Sequence, residues 1–374
     1  MYKINIKLKQ ISPLIHFQSH QEGATLRATD IKPKLDRYLS EVLKNQDLYS
    51  KLHKRKDQSD SLSYSYKIKI KHSEPRSIEL SKQNSYSCFF GNTGVHDVDR
   101  LKQLLFYPSG IELVLSSDYV ELIQAIILHI ENFFIKTHFG NRTSKGFGYF
   151  LIHSIQTDGL ERKMQLTTGE FEQKLKLLYQ GILIFKKEIY GKWTSDPAKY
   201  ETLFKEIDKL NKTLKAGMAS LKVESKLRQY FLSRIPPIEW EKPMIQKMVM
   251  ESSGTTLKVH QQVSNIKFVR ALLGLPGQFE YDKLKKTVSV SHMDEQEKIE
   301  RFRSPIDFKI YGNCIYLIAA HTIPEKLYHA TFKFKINDVR IASKNLKTPS
   351  KDEFNLPEFL IKAMNNEKHW TRIN

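Results

Sequence analysis

Cysteine is almost absent from this 374-residue chain, which carries only Cys88 and Cys314. That excludes a disulfide-stapled scaffold and a structural zinc site built from cysteines alone. A reducing, intracellular setting is the expectation. Long apolar runs are also missing. The longest, residues 122–135, is interrupted by Gln124, His129, Glu131 and Asn132 and is too short to span a bilayer. At the N-terminus Tyr2, Ile4, Ile6 and Leu8 alternate with polar residues, unlike the apolar block of an export signal. The expected location is therefore cytoplasmic, with no membrane partner. Acidic side chains are in deficit: 41 Asp+Glu stand against 60 Lys+Arg, a net charge of +19. Such a surplus costs self-repulsion unless a polyanion offsets it. Nucleic acid is the first expectation, ahead of an acidic membrane surface or an acidic protein.

The chain has ample material for a core, with 40% hydrophobic and 11% aromatic residues, and a length suited to two domains. The alternation at Tyr2–Leu8 predicts a half-buried strand with Lys3, Asn5, Lys7 and Lys9 on the other face. Ile31, Leu35, Tyr38, Leu39, Val42 and Leu43 recur at helical spacing; Thr29 or Asp30 is the expected cap, with Pro33 in the first turn. Residues 64–71 alternate again, with Tyr64, Tyr66, Ile68 and Ile70 facing the core and lysines opposite. Aromatic and cationic faces are thus separated, which argues against a base-stacking platform. Strands are expected at 87–90 and 111–115. A helix capped by Asp118 and Glu121 should run to Ile135 and stop near Gly140, with a strand over 147–155. This strand–helix–strand–strand–helix–strand order predicts an α+β, ferredoxin-like (RRM-like) domain over residues 1–160, with both helices on one face of an antiparallel sheet.

Residues 161–374 are read as a second, divergent ferredoxin-like domain with a basic helical insertion. Helical, basic sequence runs from Phe204 to Phe231 and ends at Pro236-Pro237. Asn265–Leu273 reads as helical, 306–310 and 316–321 as strands, and 327–341 as an alternating stretch. The tail after Lys347 reads as polar and loosely ordered.

Two segments carry the chemistry. Phe139-Gly140-Asn141-Arg142-Thr143-Ser144-Lys145-Gly146-Phe147-Gly148-Tyr149 concentrates glycines that allow positive φ and close backbone approach. Exposed amides in such a turn form an anion nest, flanked here by Arg142 and Lys145. The turn follows a helix and precedes a strand, the reverse of dinucleotide-binding and P-loop motifs. A tight connection with solvated side chains accounts for the same residues. The second segment, Leu26-Arg27-Ala28-Thr29-Asp30-Ile31-Lys32-Pro33-Lys34, places Arg27, Lys32 and Lys34 at a helix start, where unpaired amides favour a phosphate; a capped helix with solvated lysines fits equally.

Together these segments resemble the RAMP superfamily of CRISPR-associated proteins. Gly140-Asn141-Arg142-Thr143-Ser144-Lys145-Gly146-Phe147-Gly148 is similar to the family's late loop G-G-R-x-x-K/R-G-F-G, with Asn141 in place of the second glycine. Arg27-Ala28-Thr29-Asp30-Ile31-Lys32 is similar to its R-x-x-S-I-K helix start, departing at Pro33 and Asp36, where glycine and arginine are usual. The resemblance implies a non-catalytic RNA-binding subunit of a type III CRISPR effector ribonucleoprotein in antiviral defence, with another type III backbone or end-capping subunit as an alternative. Its partners would be guide RNA, target RNA and other effector subunits, and it would need no cofactor or metal. The RNA-contacting residues so implied are Arg27, Lys32, Lys34, Gly140, Asn141, Arg142, Lys145, Gly146 and Gly148; Arg301 and Arg303, flanking Phe302, are a further candidate contact.

Catalytic alternatives are thinner. His16 follows the first strand, where related guide-RNA processing ribonucleases keep a general acid/base, so metal-independent cleavage of precursor RNA is the alternative activity. Packing between Ile15 and Phe17 is the plainer reading of that histidine. Asp97 and Asp99 follow the glycine-containing 91–94 segment and match the loop aspartates with which some RAMP backbone subunits cut target RNA; a solvated loop explains them as well. His129 and His153 lie in apolar segments and read as structural. There is no H-E-x-x-H pair and no nucleotide-binding or nucleophile motif.

Overall fold

The computed structural model describes residues 1–15, 25–43, 63–79, 103–157, 159–189, 197–218, 221–254, 265–281, 284–294, 299, 302–337 and 341–374. The strand expected at 87–90 lies outside these residues, as do His16, Asp97, Asp99 and Arg301. The chain is α+β, with several antiparallel sheets. It divides into two units, residues 1–181, 189–204 and 308–316, and residues 182–188, 205–307 and 317–374. Among the described residues no helix is long and apolar enough to cross a membrane.

The first unit is built on β1 (Tyr2–Gln10), α1 (Ala28–Val42), β2 (Lys67–His72), β3 (Arg76–Glu79), β4 (Gln103–Phe106), β5 (Ile111–Ser117), α2 (Val120–Lys136), β6 (Phe150–Thr157), β7 (Leu160–Lys163) and α3 (Thr168–Leu178). Five strands form one sheet in the order β2-β5-β1-β6-β7, with every adjacent pair antiparallel. β3 and β4 pair separately. β1 is the central strand, with Ile6 opposite Leu113 on one side and Ile155 on the other. Its period of two sends Ile4, Ile6 and Leu8 into the core and leaves Lys3, Lys7 and Lys9 exposed.

α1 and α2 cover the apolar face. α1 contributes Ile31, Leu35 and Leu39; α2 contributes Leu122, Ile126, Ile130 and Phe133, spaced by three and four. Phe133 and Phe134 meet edge to face at 5.1 Å, and Phe139 stands 5.9 Å from Phe134 and 6.1 Å from Phe150, carrying the core to the sheet. Tyr64 and Tyr66 are buried in the same core, as their alternation indicates.

Both expected caps differ from the observed ones. α1 begins at Ala28, with Arg27 at the cap position. The Arg27 N–H donates to Asp30 Oδ2 at 3.1 Å, and the Arg27 guanidinium donates to both oxygens of the same carboxylate. Asp30 is thus the third helical residue, and Pro33 lies in the second turn, where its missing N–H removes a helical bond. α2 begins after Tyr119, which makes no side-chain cap; the Tyr119 N–H donates instead to Ser117 Oγ at 3.1 Å. Asp118 is exposed and pairs with the N-terminal ammonium at 3.9 Å.

The second unit begins with β8 (Ile184–Glu188). Further along follow α4 (Pro197–Lys215), α5 (Lys226–Leu232), β9 (Glu239–Trp240), α6 (Lys242–Ser252), β10 (Ile266–Lys267), β11 (Gln278–Tyr281), β12 (Lys286–His292), β13 (Asp307–Tyr311), β14 (Cys314–Ile318), β15 (Thr331–Ile336), β16 (Lys344–Lys347), α7 (Leu356–Met364) and β17 (Trp370–Arg372). Residues 197–204 and 308–316 belong to the first unit. β11, β12, β15 and β16 form an antiparallel sheet in chain order. Phe268 seals this sheet, 5.4 Å from Phe332 and 5.0 Å from Phe334. The helix expected over 265–273 is instead the two-residue β10 and a 3-10 turn at Val269–Leu273. There the buried Glu241 carboxylate accepts from the Val269 N–H and the Arg270 guanidinium.

The tail is ordered, contrary to its polar composition. Phe354, Phe359, Leu360 and Met364 are buried, with Phe354 stacked on Phe231 at 5.6 Å and Phe359 against Tyr230 at 5.6 Å. Glu358 accepts from Lys362, Arg234 and Tyr230, and these bonds, Lys362 first, hold its pKa down at about 2. Beyond α7, β17 pairs antiparallel with β8.

Phe133 occupies the point where α1, α2 and the sheet converge. Phe133→Ala is expected to lower stability by roughly 3–5 kcal/mol, read as a reduced midpoint in thermal unfolding. An exposed control on the same sheet, Lys7→Ala, should leave that midpoint nearly unchanged.

Candidate nucleic-acid interface

The glycine-rich turn is residues 137–149, between α2 and β6. A His138–Tyr149 bridge closes it, and the Phe139 N–H donates to the Gly148 carbonyl at 2.8 Å. Inside it a 3-10 turn spans Thr143–Lys145, entered through Arg142 at φ 54° and left through Gly146 at φ 87°. Arg142 and Lys145 are half-buried, and residues 146–150 are buried. Aromatic stacking fixes the base: His138 on Tyr149 at 4.5 Å, and Phe147 on Phe204 at 4.1 Å. Tyr149 OH donates to the Ile135 carbonyl at 3.0 Å. Buried Lys309 lies 4.7 Å over the Tyr149 ring and donates to the Lys136 carbonyl at 3.1 Å.

The close approach that the glycines permit is made by the protein's own backbone. A Cβ at Gly140 would overlap the Ile15 carbonyl oxygen, and one at Gly148 the Phe139 carbonyl oxygen; both residues have positive φ. The Asn141 N–H donates to Ile15 O and the Gly148 N–H to Pro13 O, each at 2.7 Å. Lys145 N–H donates to Arg142 O at 2.8 Å and Gly146 N–H to Thr143 O at 3.1 Å. An open nest of amides at these four positions is therefore replaced by internal hydrogen bonds. Arg142 and Lys145, both half-buried, are carried by this internally bonded turn.

The start of α1 is brought to this turn by Lys34. Its ammonium donates to the His138 carbonyl at 2.6 Å and lies 5.1 Å from the Phe139 ring centre, joining two segments more than a hundred positions apart. The other two cations there have partners within the chain. Arg27 is held by Asp30, as described. Lys32 bonds Asp36 at 3.1 Å and the Tyr64 carbonyl at 2.9 Å, and sits 3.7 Å over the Tyr66 ring. Burial pulls the Lys32 pKa below its ordinary value, with Asp36 opposing. Thr29, Lys32, Asp36, Tyr66, Lys67 and Tyr119 are among the residues lining a cavity of about 770 Å³ beside this helix start.

Arg303 lies in the second unit. Its guanidinium donates to both Asp307 oxygens, at 2.8 and 2.7 Å, and His321 Nε2 stands 3.0 Å from the same carboxylate. Among the described residues no group of three or more His, Cys, Asp and Glu side chains is arranged to hold a metal.

A further basic group has no motif to mark it. Lys3, Lys7 and Lys9 on β1 and Lys67, Lys69 and Lys71 on β2 are all exposed, and the strand pairing sets them on the face of the sheet opposite the helices. The alternation of lysine with isoleucine in both strands is its sequence signal.

The family model of the Cmr1 N-terminal domain matches residues 1–218, and that of the Cmr1 C-terminal domain matches residues 222–373. The chain belongs to the Cmr1 family. Among solved structures it is similar to Cmr1 from Pyrococcus furiosus in its apo form, with 12% identity and a TM-score of 0.44, over 100% of this chain and 98% of that one. It is also similar to a chain of the type III-B Cmr-beta complex bound to cognate target RNA, with 10% identity and a TM-score of 0.29, over 43% of this chain and 61% of that one. None of the curated proteins matches it.

Because the 137–149 turn of this Cmr1-family chain is wedged against residues 13–15, Gly148→Ala is expected to destabilise the first unit. Strain at positive φ accounts for roughly 1–3 kcal/mol, and the overlap with the Phe139 carbonyl adds to it. The check is a lowered thermal midpoint with faster amide exchange across 137–149, beyond the loss in Gly159→Ala, which carries the same positive-φ strain but gives its Cβ open space, so that the difference reads the overlap.

Proposed function

We propose that this Cmr1-family chain is a non-catalytic RNA-binding subunit of a type III-B CRISPR effector ribonucleoprotein, acting in the cytoplasm in antiviral defence. Its partners are guide RNA, target RNA and neighbouring effector subunits. The scaffold is ferredoxin-like (RRM-like) in each half. In the first half the sheet order β2-β5-β1-β6, with α1 following β1 and α2 following β5, supports this reading. In the second half the antiparallel pairing of β8 with β17, the first and last strands, matches that of β1 with β6.

The observation that carries the reading is the Lys34–His138 bond. It draws the start of α1 and the 137–149 turn into one basic ridge, on which Arg142 and Lys145 supply the charge that a phosphate backbone meets. Lys34 positions the ridge, while the buried glycines hold its shape. Arg27 and Lys32 contribute long-range potential more than direct contacts, since each faces a carboxylate of its own chain; Arg303, in the second unit, is likewise held by Asp307. Contacts of this kind grip sugar–phosphate without reading bases, which suits a subunit that must accept any guide sequence.

The test is fluorescence anisotropy with labelled single-stranded RNA across a salt series. Arg142→Ala with Lys145→Ala should weaken binding and reduce the slope of log K against log salt by about 0.7 for each phosphate left unneutralised, about 1.4 for both. The loss should be uniform across RNA sequences. Unchanged affinity and slope in that variant would overturn the assignment.

A further inference from the structure

We infer that the open face of the β2-β5-β1-β6-β7 sheet is a second polyanion surface, one that takes the sugar–phosphate backbone of a single-stranded polynucleotide. The inference rests on the reading of the chain as a nucleic-acid binder, but it uses none of the turn residues.

Strand pairing fixes the pattern. One row across the sheet is Lys71, Glu112, Lys7, Ser154 and Lys163; the next is Lys69, Val114, Asn5, Gln156 and Glu161; a third is Lys67, Ser116 and Lys3. β5 lies between β1 and β2, so the lysines form two parallel columns two strand spacings apart, about 9–10 Å. Between the columns the floor is Glu112, Val114 and Ser116, all half-buried and none of them cationic. In the β2 column Lys67, Lys69 and Lys71 follow one another at about 6.7 Å, comparable to the step between phosphates of an extended strand, whereas in the β1 column Asn5 separates Lys3 from Lys7, about 13 Å apart. A groove of about 470 Å³ lined by Asn5, Lys7, Lys71, Glu112, Ser154 and Gln156 opens on this face.

The solvated face of an antiparallel sheet needs polar residues, but not residues of one sign. Among the described residues of these rows, Lys3, Lys7, Lys67, Lys69, Lys71 and Lys163 face only Glu112 and Glu161. Lys71 pairs with Glu112 at 3.3 Å; among the described residues Lys3, Lys7, Lys67 and Lys69 form no ion pair. Among the described residues these four lysines therefore hold charge that no carboxylate pairs, and along β2 it recurs at the step of a polyanion. The rows carry no aromatic side chain, so bases have nothing to stack on and the phosphates are what the face recognises. The channel between the columns admits one backbone.

The experiment uses the full chain with Lys3, Lys7, Lys67 and Lys69 changed to Gln, probed with labelled oligouridine across a salt series. The salt slope should fall by about 0.7 for each phosphate that no longer meets a lysine, approaching about 3 if all four lysines engage, while the matching Lys→Arg variant keeps the wild-type slope. These side chains are exposed, so the thermal midpoint should be unchanged; should the fourfold variant fold poorly, Lys7→Gln with Lys69→Gln reads the same effect at half size. A wild-type slope in the Gln variants overturns the inference. So does loss of poly-glutamate binding without loss of oligouridine binding, which would make the face a surface for acidic protein. Weakened binding in the Arg142/Lys145 double variant beside an unchanged sheet variant would sink this inference and leave the proposed function standing. Failure of the wild-type chain to bind oligouridine would sink both.

Discussion

β1 is hydrogen-bonded along both edges, to β5 and to β6, and the placement of the first unit's other elements follows from that. A strand paired on both sides cannot slip by one residue without turning Ile4, Ile6 and Leu8 out to solvent and three lysines into the core. Its register therefore decides which face receives α1 and α2 and which face is left basic. It also positions residues 11–15 beyond the strand, where Pro13 and Ile15 offer the carbonyls that Gly148 and Asn141 bond. The central strand and the glycine-rich turn are thus one construction: the strand's continuation is the surface against which the turn is moulded.

That arrangement changes what the glycines are for. Read along the chain, a G-N-R-x-x-K-G-F-G segment allows either backbone amides held open for an anion or a tight connection. In the folded chain the missing side chains make room for residues 13–15 and for the Phe139 carbonyl, and the amides of positions 141, 145, 146 and 148 close on internal oxygens. The result is a rigid pedestal with Arg142 and Lys145 on it. Rigidity of this kind lowers the entropic cost of holding long cationic side chains near a ligand, and in the proposed function the motif would act through those side chains and not through its amides.

The other candidate cations divide by their local company. Arg27 faces Asp30, Lys32 faces Asp36 and Arg303 faces Asp307, each acid three or four residues along the chain. Those acids are visible in the sequence at the separations at which helical neighbours meet, or at which a short turn returns on itself. Lys34 differs because its partner is a backbone carbonyl from a distant turn. Similarly, α7 was obscured by the polar residues around it; its buried Phe359, Leu360, Ala363 and Met364 have the helical spacing that marks one apolar face.

By itself, the sequence determined the period-two strands, the two core-facing helices, the strand–helix–strands–helix–strand order as far as β6 and the surplus of positive charge, because alternation, helical spacing and composition are local properties of the chain. Only the tertiary structure decided which cations are neutralised, what fills the space beside each glycine, that Lys34 reaches the turn, and that lysines of β1 and β2 share one face across β5. Those outcomes depend on strand order and register, which bring together residues that no spacing along the chain relates.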